Sequence, residues 1–229
     1  MRRLTLELAL IAGLSLPCVA EPRSAAETMD ILMWGRERVG GPFALTDHTG
    51  RPRTEQDFRG KLLLVYFGFT YCPDICPTDL QNIGLALDQL GSAGEKVQPL
   101  FITVDPERDT AQHLAEYVPM FHPRLIGLTG EAPAIHTAAD AYKVYYARVQ
   151  NERGDDYTVD HTSFIYLMGA DGQYVGFFPP GTPPERIAAT LRKELTVRHY
   201  RAPHRPQRNA HRQTIHIDHR VDFAGQPAA

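Results

Sequence analysis

Hydrophobic residues follow two alternating patterns in the first half of the chain. Residues 62–67 are a continuous apolar run, which is typical of a strand buried on both faces of a sheet, and residues 100–104 are predicted to be a second buried strand. Between them, apolar residues recur every three or four positions, which predicts a helix that begins at Pro77 and ends at Gly91. The members of this stripe are Leu80, Ile83, Leu87 and Leu90. A short strand at 43–45, which runs into a turn, precedes this unit.

The alternation continues through the second half. The pattern predicts a helix over 110–117, a strand over 125–128 and a helix over 133–149. Strands at 164–168 and 174–178 flank an Ala-Asp-Gly turn, which indicates a hairpin. A last helix follows a proline-containing capping box, and its stripe consists of Ile187, Leu191 and Leu195. The order β-α-β-α-β-α-β-β-α predicts a single α/β domain with a thioredoxin-like fold, in which helices flank a central mixed sheet.

The regions outside this pattern have different compositions. A basic start, an apolar run over 8–16 and small residues at 18–20 predict an export signal over residues 1–20. The run is shorter than the roughly 20 apolar residues of a membrane span, so we expect a cleaved signal, with a retained anchor as the alternative. Residues 21–40 are predicted to be a linker with one amphipathic stretch, and residues 41–196 to be the folded domain.

Charge is distributed unevenly along the chain. The net charge of the chain is −3. Residues 198–229 contain six arginines and two aspartates, so this tail has a net charge of +4 and the rest of the chain has a net charge of −7. This balance gives no reason to expect nucleic acid as a partner, whereas a basic tail is suited to contact with acidic lipid or an acidic protein. Apolar periodicity ends before residue 197, which predicts a disordered tail rich in His and Arg over 197–229.

Two cysteines provide the main chemical signal. Removal of the signal segment leaves Cys72 and Cys76, an even pair that is compatible with an oxidising compartment. They lie between a buried strand and the start of a helix, where free N–H groups and the helix dipole stabilise a thiolate. Two thiolates one helical turn apart suit Cu(I) or Zn(II), and the same spacing permits a disulfide, either structural or redox-active.

An imidazole would complete a three-coordinate Cu(I) site, and the chain contains ten histidines. Five lie in the tail, and His48, His113, His122 and His136 fall in or beside predicted turns and helices, where a surface or core role is expected. His161 is different because it directly precedes the hairpin strand. In a thioredoxin-like fold, that loop faces the cysteine turn. Thioredoxin enzymes place a cis-proline in this loop, and no proline occurs between residues 151 and 173.

Three segments together resemble the Sco (SenC) family of copper-handling proteins. They are CPDICP at 72–77, VDPERDT at 104–110 and DHTS at 160–163, and the resemblance covers residues 40–195. It implies that Cys72, Cys76 and His161 bind copper, as Cu(I), Cu(II) or both. It also implies a copper chaperone or thiol reductase that serves the dinuclear copper centre of cytochrome c oxidase or of a related haem-copper oxidase.

From the resemblance we expect an exported, periplasmic metallochaperone rather than an enzyme. Its partners would be a copper-accepting oxidase subunit and another periplasmic copper chaperone or thiol reductase, and a retained anchor would hold it at the outer face of the inner membrane. The main alternative is a periplasmic thiol-disulfide oxidoreductase in which Cys72 attacks and Cys76 resolves. A peroxidase would need an arginine placed with Thr70, and no motif provides one. We expect a supporting role for residues 105–110, and Asp160 is a candidate to orient His161.

Overall fold

A computed structural model describes residues 25–200 except residues 36, 152 and 155, and it leaves aside the side chains of residues 25, 34 and 197–200. The predicted signal over 1–20 and the predicted tail beyond residue 200 therefore lie outside the described residues.

Nine strands and five α-helices make up the described part of the chain. The strands are β1 (Ala44–Asp47), β2 (Pro52–Thr54), β3 (Leu62–Gly68), β4 (Val97–Thr103), β5 (Ile126–Thr129), β6 (Tyr146–Gln150), β7 (Tyr157–His161), β8 (Ile165–Met168) and β9 (Tyr174–Phe178). The helices are α1 (Ala25–Trp34), α2 (Ile75–Leu90), α3 (Ala111–Tyr117), α4 (Ala132–Ala141) and α5 (Pro184–Tyr200).

Seven of the strands form one mixed sheet in the order β2-β1-β5-β4-β3-β8-β9. The central pairs β3–β4 and β4–β5 are parallel, and the outer pairs are antiparallel. Every residue of β3 and β4 is buried, as predicted for these two strands, and the buried set includes the polar Gln98 and Thr103 of β4. The sheet is flanked by helices, which confirms the predicted fold class. Strands β6 and β7 form a separate two-stranded antiparallel sheet.

The apolar stripes of the predicted helices form part of the core. Leu80, Ile83 and Leu87 of α2 are at most 1% exposed, and α2 packs against α5, where Ile187 and Leu191 are fully buried. The start of α2 lies at Ile75, two residues earlier than predicted, so Cys76 belongs to the first helical turn. Pro77 is tolerated there because the first turn of a helix has no backbone acceptor for its missing N–H.

The predicted helix over 133–149 was wrong in its second half. Helix α4 ends at Ala141, Lys143 adopts a left-handed conformation with φ of 62°, and strand β6 follows from Tyr146. A left-handed residue cannot continue an α-helix. The segment after it is rich in aromatic and β-branched residues, which favour strands, and it pairs with β7 along its whole length.

Part of the predicted linker is ordered on the domain. The amphipathic stretch forms α1, where Ile31 and Leu32 are less than 9% exposed. The Tyr174 hydroxyl of β9 donates to the carbonyl of Leu32 at 3.2 Å, and the Thr28 hydroxyl donates to the carbonyl of Lys143 at 3.4 Å. Helix α1 therefore covers the outer edge of the main sheet beside β9.

Candidate metal centre

The cysteine turn connects the central strand β3 to helix α2. Cys72 lies in the turn, where its N–H donates to the carbonyl of Phe69 at 3.3 Å. Cys76 lies in the first turn of α2, and its backbone N–H donates to the sulfur of Cys72 at 3.4 Å. A free N–H group at the start of a helix thus points at the first thiol, as the position of the motif predicted.

His161 completes the site from the end of β7. Cys72, Cys76 and His161 each offer one potential ligand atom, and these three atoms lie within 4.8 Å of one another. Nε2 of His161 is 3.4 Å from the sulfur of Cys76. The prediction that His161 would lie in a loop was wrong, because it is the last residue of the strand that pairs with β6. Its expected location beside the cysteine turn is confirmed.

The orientation of the imidazole follows from its other nitrogen. Nδ1 of His161 is 3.2 Å from the backbone carbonyl of Thr162, so Nδ1 carries the proton and Nε2 offers its lone pair to the cysteines. Asp160 was a candidate for this contact, but its side chain is exposed, and the backbone carbonyl of Thr162 makes the contact instead. The rings of Phe69 and Tyr66 meet the imidazole edge-on at 5.8 Å and 6.4 Å, which restricts its rotation.

The two cysteines are chemically different, and both are unpaired. Cys72 is half-buried, and its pKa is lowered to about 4 by a hydrogen bond from Cys76, to which backbone N–H groups add, against the opposing effect of burial. Cys76 is fully buried, and its pKa is raised by the hydrogen bond with Cys72 and by burial. The reduced pair therefore holds one accessible thiolate and one buried thiol.

Gly68 makes room for the buried sulfur. A Cβ atom at this position would lie 3.0 Å from the sulfur of Cys76, and equally close to ring atoms of Phe101 and Tyr66. Sequence reasoning missed this residue, because nothing in a buried strand shows which neighbour approaches a glycine. The close approach explains how Cys76 packs directly against the central strand.

Residues 105–110 support the site from the loop between β4 and α3. Asp105 and Asp109 are fully buried, and neither belongs to the group of ligand atoms described above. Asp105 accepts hydrogen bonds from Arg108 and from the Tyr157 hydroxyl, and Thr110 caps α3. The structure agrees with the supporting role predicted for this segment.

Arg108 connects this loop to the cysteine turn and to the β6–β7 sheet. Its guanidinium lies 4.7 Å from the ring centre of Tyr71 and 3.8 Å from that of Tyr157. It also donates to the backbone carbonyl of Tyr157 at 3.0 Å. The arginine is therefore held between the aromatic rings of Tyr71 and Tyr157, beside the cysteine turn.

Asp79 is a second feature that sequence reasoning missed. It lies three residues after Cys76, it is fully buried, and its Oδ1 accepts from the N–H of Gly181 at 2.8 Å. Burial raises its pKa to about 6, against the opposing effects of Gly181 and the Tyr66 hydroxyl. The sequence did contain one signal for its burial: Asp79 lies four residues before Ile83, which places it on the buried face of α2.

The other predicted histidine positions take structural roles. His48 lies in the turn after β1, where Nδ1 accepts from the N–H of Gly127 at 3.2 Å. His122 lies 3.5 Å from a carboxylate oxygen of Asp88. His136 is on α4, and His113 on α3 contacts Thr70 and not the cysteines. The tail histidines from 204 onward lie outside the described residues.

Fold and site together define an α/β protein in which two thiols and one imidazole, gathered beside the end of strand β3, form a group that could hold a metal ion. The sequence model of the SCO1/SenC family matches residues 33–196, so the chain belongs to that family. This confirms the resemblance drawn from the three motifs, and with it the predicted thioredoxin-like fold.

Two curated relatives are animal proteins whose names call them mitochondrial. The chain is 43% identical over 159 residues to Protein SCO1 homolog, mitochondrial, of Homo sapiens, which covers 69% of this chain and 53% of the relative. It is 46% identical over 159 residues to Protein SCO2 homolog, mitochondrial, of Bos taurus, with 69% and 60% covered. The chain thus spans about half to three fifths of the length of these relatives.

Solved structures of the family include copper-bound proteins. The chain is similar to ScoI of Bradyrhizobium japonicum with copper bound, with a TM-score of 0.64, 43% identity, and coverage of 68% of this chain and 99% of that chain. It is also similar to yeast Sco1 with copper bound, with a TM-score of 0.65, 38% identity, and coverage of 74% and 97%. Within residues 25–200, the structure contains no helix that is both long and apolar enough to cross a membrane.

Proposed function

We propose that this chain binds one copper ion through Cys72, Cys76 and His161 and serves as a copper chaperone in the assembly of a respiratory haem-copper oxidase. The observation that supports it most is the convergence of two sulfurs and Nε2 of His161 within 4.8 Å. Three soft or borderline donors suit Cu(I), whereas structural zinc sites almost always use four ligands. Two solved relatives with this fold carry copper.

The exposure of the three ligands supports a role in transfer. Cys76 is fully buried, whereas Cys72 and His161 are only partly covered, so the site has one closed side and one open side. An incoming thiolate of an acceptor subunit reaches the ion from the side of Cys72 and displaces the ligands stepwise. Oxidation of the two cysteines to a disulfide removes both sulfur ligands, so the redox state of the pair gates copper binding.

The location and the partners follow from this role. A chaperone for the dinuclear copper centre acts outside the cytoplasm, in keeping with the predicted export signal, and we place the domain in the periplasm. The acceptor is the copper-binding subunit of the oxidase. The copper donor is a second periplasmic chaperone, and a periplasmic thiol reductase keeps Cys72 and Cys76 reduced.

Copper stoichiometry of the reduced, purified protein tests the site. We expect one copper per chain for the wild type, and loss of binding or an altered spectrum for Cys72→Ala, Cys76→Ala and His161→Ala. His122→Ala is the control, since it removes a buried imidazole that lies outside the group of three. Wild-type protein that binds no copper, or copper binding that does not depend on His161, would refute the proposal.

The different states of the two cysteines favour one alternative function, a thiol-disulfide oxidoreductase acting on the oxidase subunit. The Cys72 thiolate attacks a target disulfide, and one target sulfur leaves as a thiolate that takes up a proton. The buried Cys76 then loses its proton and attacks the mixed disulfide, which releases the second target thiol and leaves Cys72 and Cys76 oxidised. His161→Ala separates the functions: oxidase assembly that survives in this variant, despite lost copper binding, would favour the reductase.

A further inference from the structure

The three ligands differ in how the fold holds them. Cys76 lies in helix α2 and His161 in strand β7, so both positions belong to regular secondary structure. Cys72 lies in the turn between β3 and α2, outside any helix or strand. The location of the Cys72 sulfur therefore depends on whatever holds this turn.

A buried carboxylate holds the turn from the neighbouring loop. Oδ2 of Asp109 accepts from the backbone N–H of Thr70 at 3.0 Å, and Oδ1 accepts from the hydroxyl of Thr70 at 2.6 Å. The hydroxyl of Thr103, at the end of β4, donates to Oδ2 at 2.6 Å. Asp109 is fully buried, so hydrogen bonds to its carboxylate are not weakened by water.

Helix α3 also contacts the cysteine turn. Nε2 of His113 is 2.9 Å from Oγ1 of Thr70. The single hydroxyl proton of Thr70 points to Asp109, so its oxygen accepts from His113, and Nε2 of His113 carries a proton. The ring of His113 also stacks on the ring of Tyr71, with 5.8 Å between the centres. Residues 70 and 71, which immediately precede Cys72, are thus held by both the loop and the helix.

We propose that Asp109 is a positioning residue for the metal centre, which acts through Thr70 to hold Cys72 opposite Cys76 and His161. A displaced Thr70 shifts the Cys72 sulfur because only Tyr71 separates the two residues. The part of this inference that concerns copper rests on the proposed function. The position of the Cys72 backbone does not, because it exists in the metal-free protein.

Thr70 and Thr103 provide a matched pair of variants. Thr70→Val keeps the shape of the side chain and the backbone N–H but removes the hydroxyl that joins the turn to Asp109. Thr103→Val removes another hydroxyl from the same carboxylate at a position outside the cysteine turn. Thr70→Ser retains the hydroxyl and serves as the conservative variant. Asp109→Asn weakens all contacts of the carboxylate at once.

Two measurements decide the question. In the reduced, metal-free protein, we expect amide hydrogen exchange at Cys72 to become about tenfold faster in Thr70→Val and Asp109→Asn. A factor of this size corresponds to the loss of one hydrogen bond to a charged group. In the copper-loaded full chain, Cu(I) release to a chromophoric Cu(I) chelator is expected to accelerate by a similar factor. Thr70→Ser and Thr103→Val are expected to stay within about twofold of wild type in both assays.

The melting temperature of each variant separates positioning from general stability. Thr70→Val and Thr103→Val lose comparable hydrogen bonds, so a purely structural role of Asp109 would change both variants alike. Equal behaviour of the two valine variants, or a Thr70→Val protein identical to wild type, would overturn the proposal. If Asp109→Asn does not fold, Thr70→Val alone decides. If the wild type binds no copper, the proposed function fails, and the exchange measurement still tests the positioning of Cys72.

Discussion

Replacement of Gly68 by alanine measures how tightly the buried sulfur of the metal centre is packed. The added Cβ would meet the sulfur of Cys76 and ring atoms of Phe101 and Tyr66, each at 3.0 Å, whereas carbon contacts are optimal at about 3.5–4.0 Å. None of these neighbours is the end of a flexible chain, because all three side chains are fully buried. They must therefore shift by several tenths of an ångström.

The expected magnitude follows from other overpacked cores. Inserting one methyl group into a filled site costs about 1–3 kcal/mol. For a protein of this size, 1 kcal/mol corresponds to about 2–4 °C in the melting temperature, so we expect a decrease of about 2–12 °C. A shifted Cys76 sulfur also leaves its place opposite Cys72 and His161, so Cu(I) affinity is expected to fall in the same variant.

Thermal unfolding of the reduced, metal-free protein and competition for Cu(I) with a chelator are the assays. Gly176→Ala is the control, because Gly176 also lies in a strand of the main sheet and no atom comes within 4 Å of its added Cβ. A Gly68→Ala protein that melts and binds Cu(I) like the Gly176→Ala protein would refute the idea that the sulfur is tightly packed.

Two further predictions concern charge. Alkylation of Cys72 in the reduced, metal-free protein should vary by less than about threefold between pH 5.5 and 8, since its pKa is lowered to about 4, whereas an ordinary thiol would slow about 200-fold. A steep profile centred near pH 8, measured by peptide mass spectrometry, would contradict the lowered pKa. The pKa of Asp47 is far below its usual range because hydrogen bonds from Thr49, Arg53 and nearby backbone N–H groups outweigh burial. A lowered folded-state pKa stabilises the protein fully above the unfolded value near 3.9, and this contribution declines progressively as pH falls from there toward the folded-state pKa. Asp47→Asn should therefore lower the free energy of unfolding by about 1–3 kcal/mol at pH 7 and by less at pH 3, and denaturant titrations with equal losses at both values would contradict this.

Local sequence features predicted much of the fold and two of the three residues of the candidate metal centre. Cys72 and Cys76 are four residues apart, so their proximity follows from one helical turn. The buried strand β3 is evident as a continuous apolar run, and the apolar residues 100–102 indicate β4. His161 was found only by combining its position before the hairpin with the expected topology. The start of β6 was not found, because the left-handed residue Lys143 carries no sequence signal of the kind that glycine or asparagine gives.

The amino-acid sequence alone determined which segments are buried and where thiolates form, because hydrophobic periodicity and helix starts are local properties. Tertiary structure decided which distant groups meet. Asp109 bonds to Thr70 across 39 residues, the Cys76 sulfur meets His161 across 85, and Asp79 meets Gly181 across 102. Such contacts depend on how strands and loops pack against each other. Hydrophobic periodicity shows that a side chain is buried, but it does not show which distant residues the side chain contacts. The proximity of the two cysteines thus follows from one helical turn, whereas the complete candidate metal centre exists only once the sheet has formed.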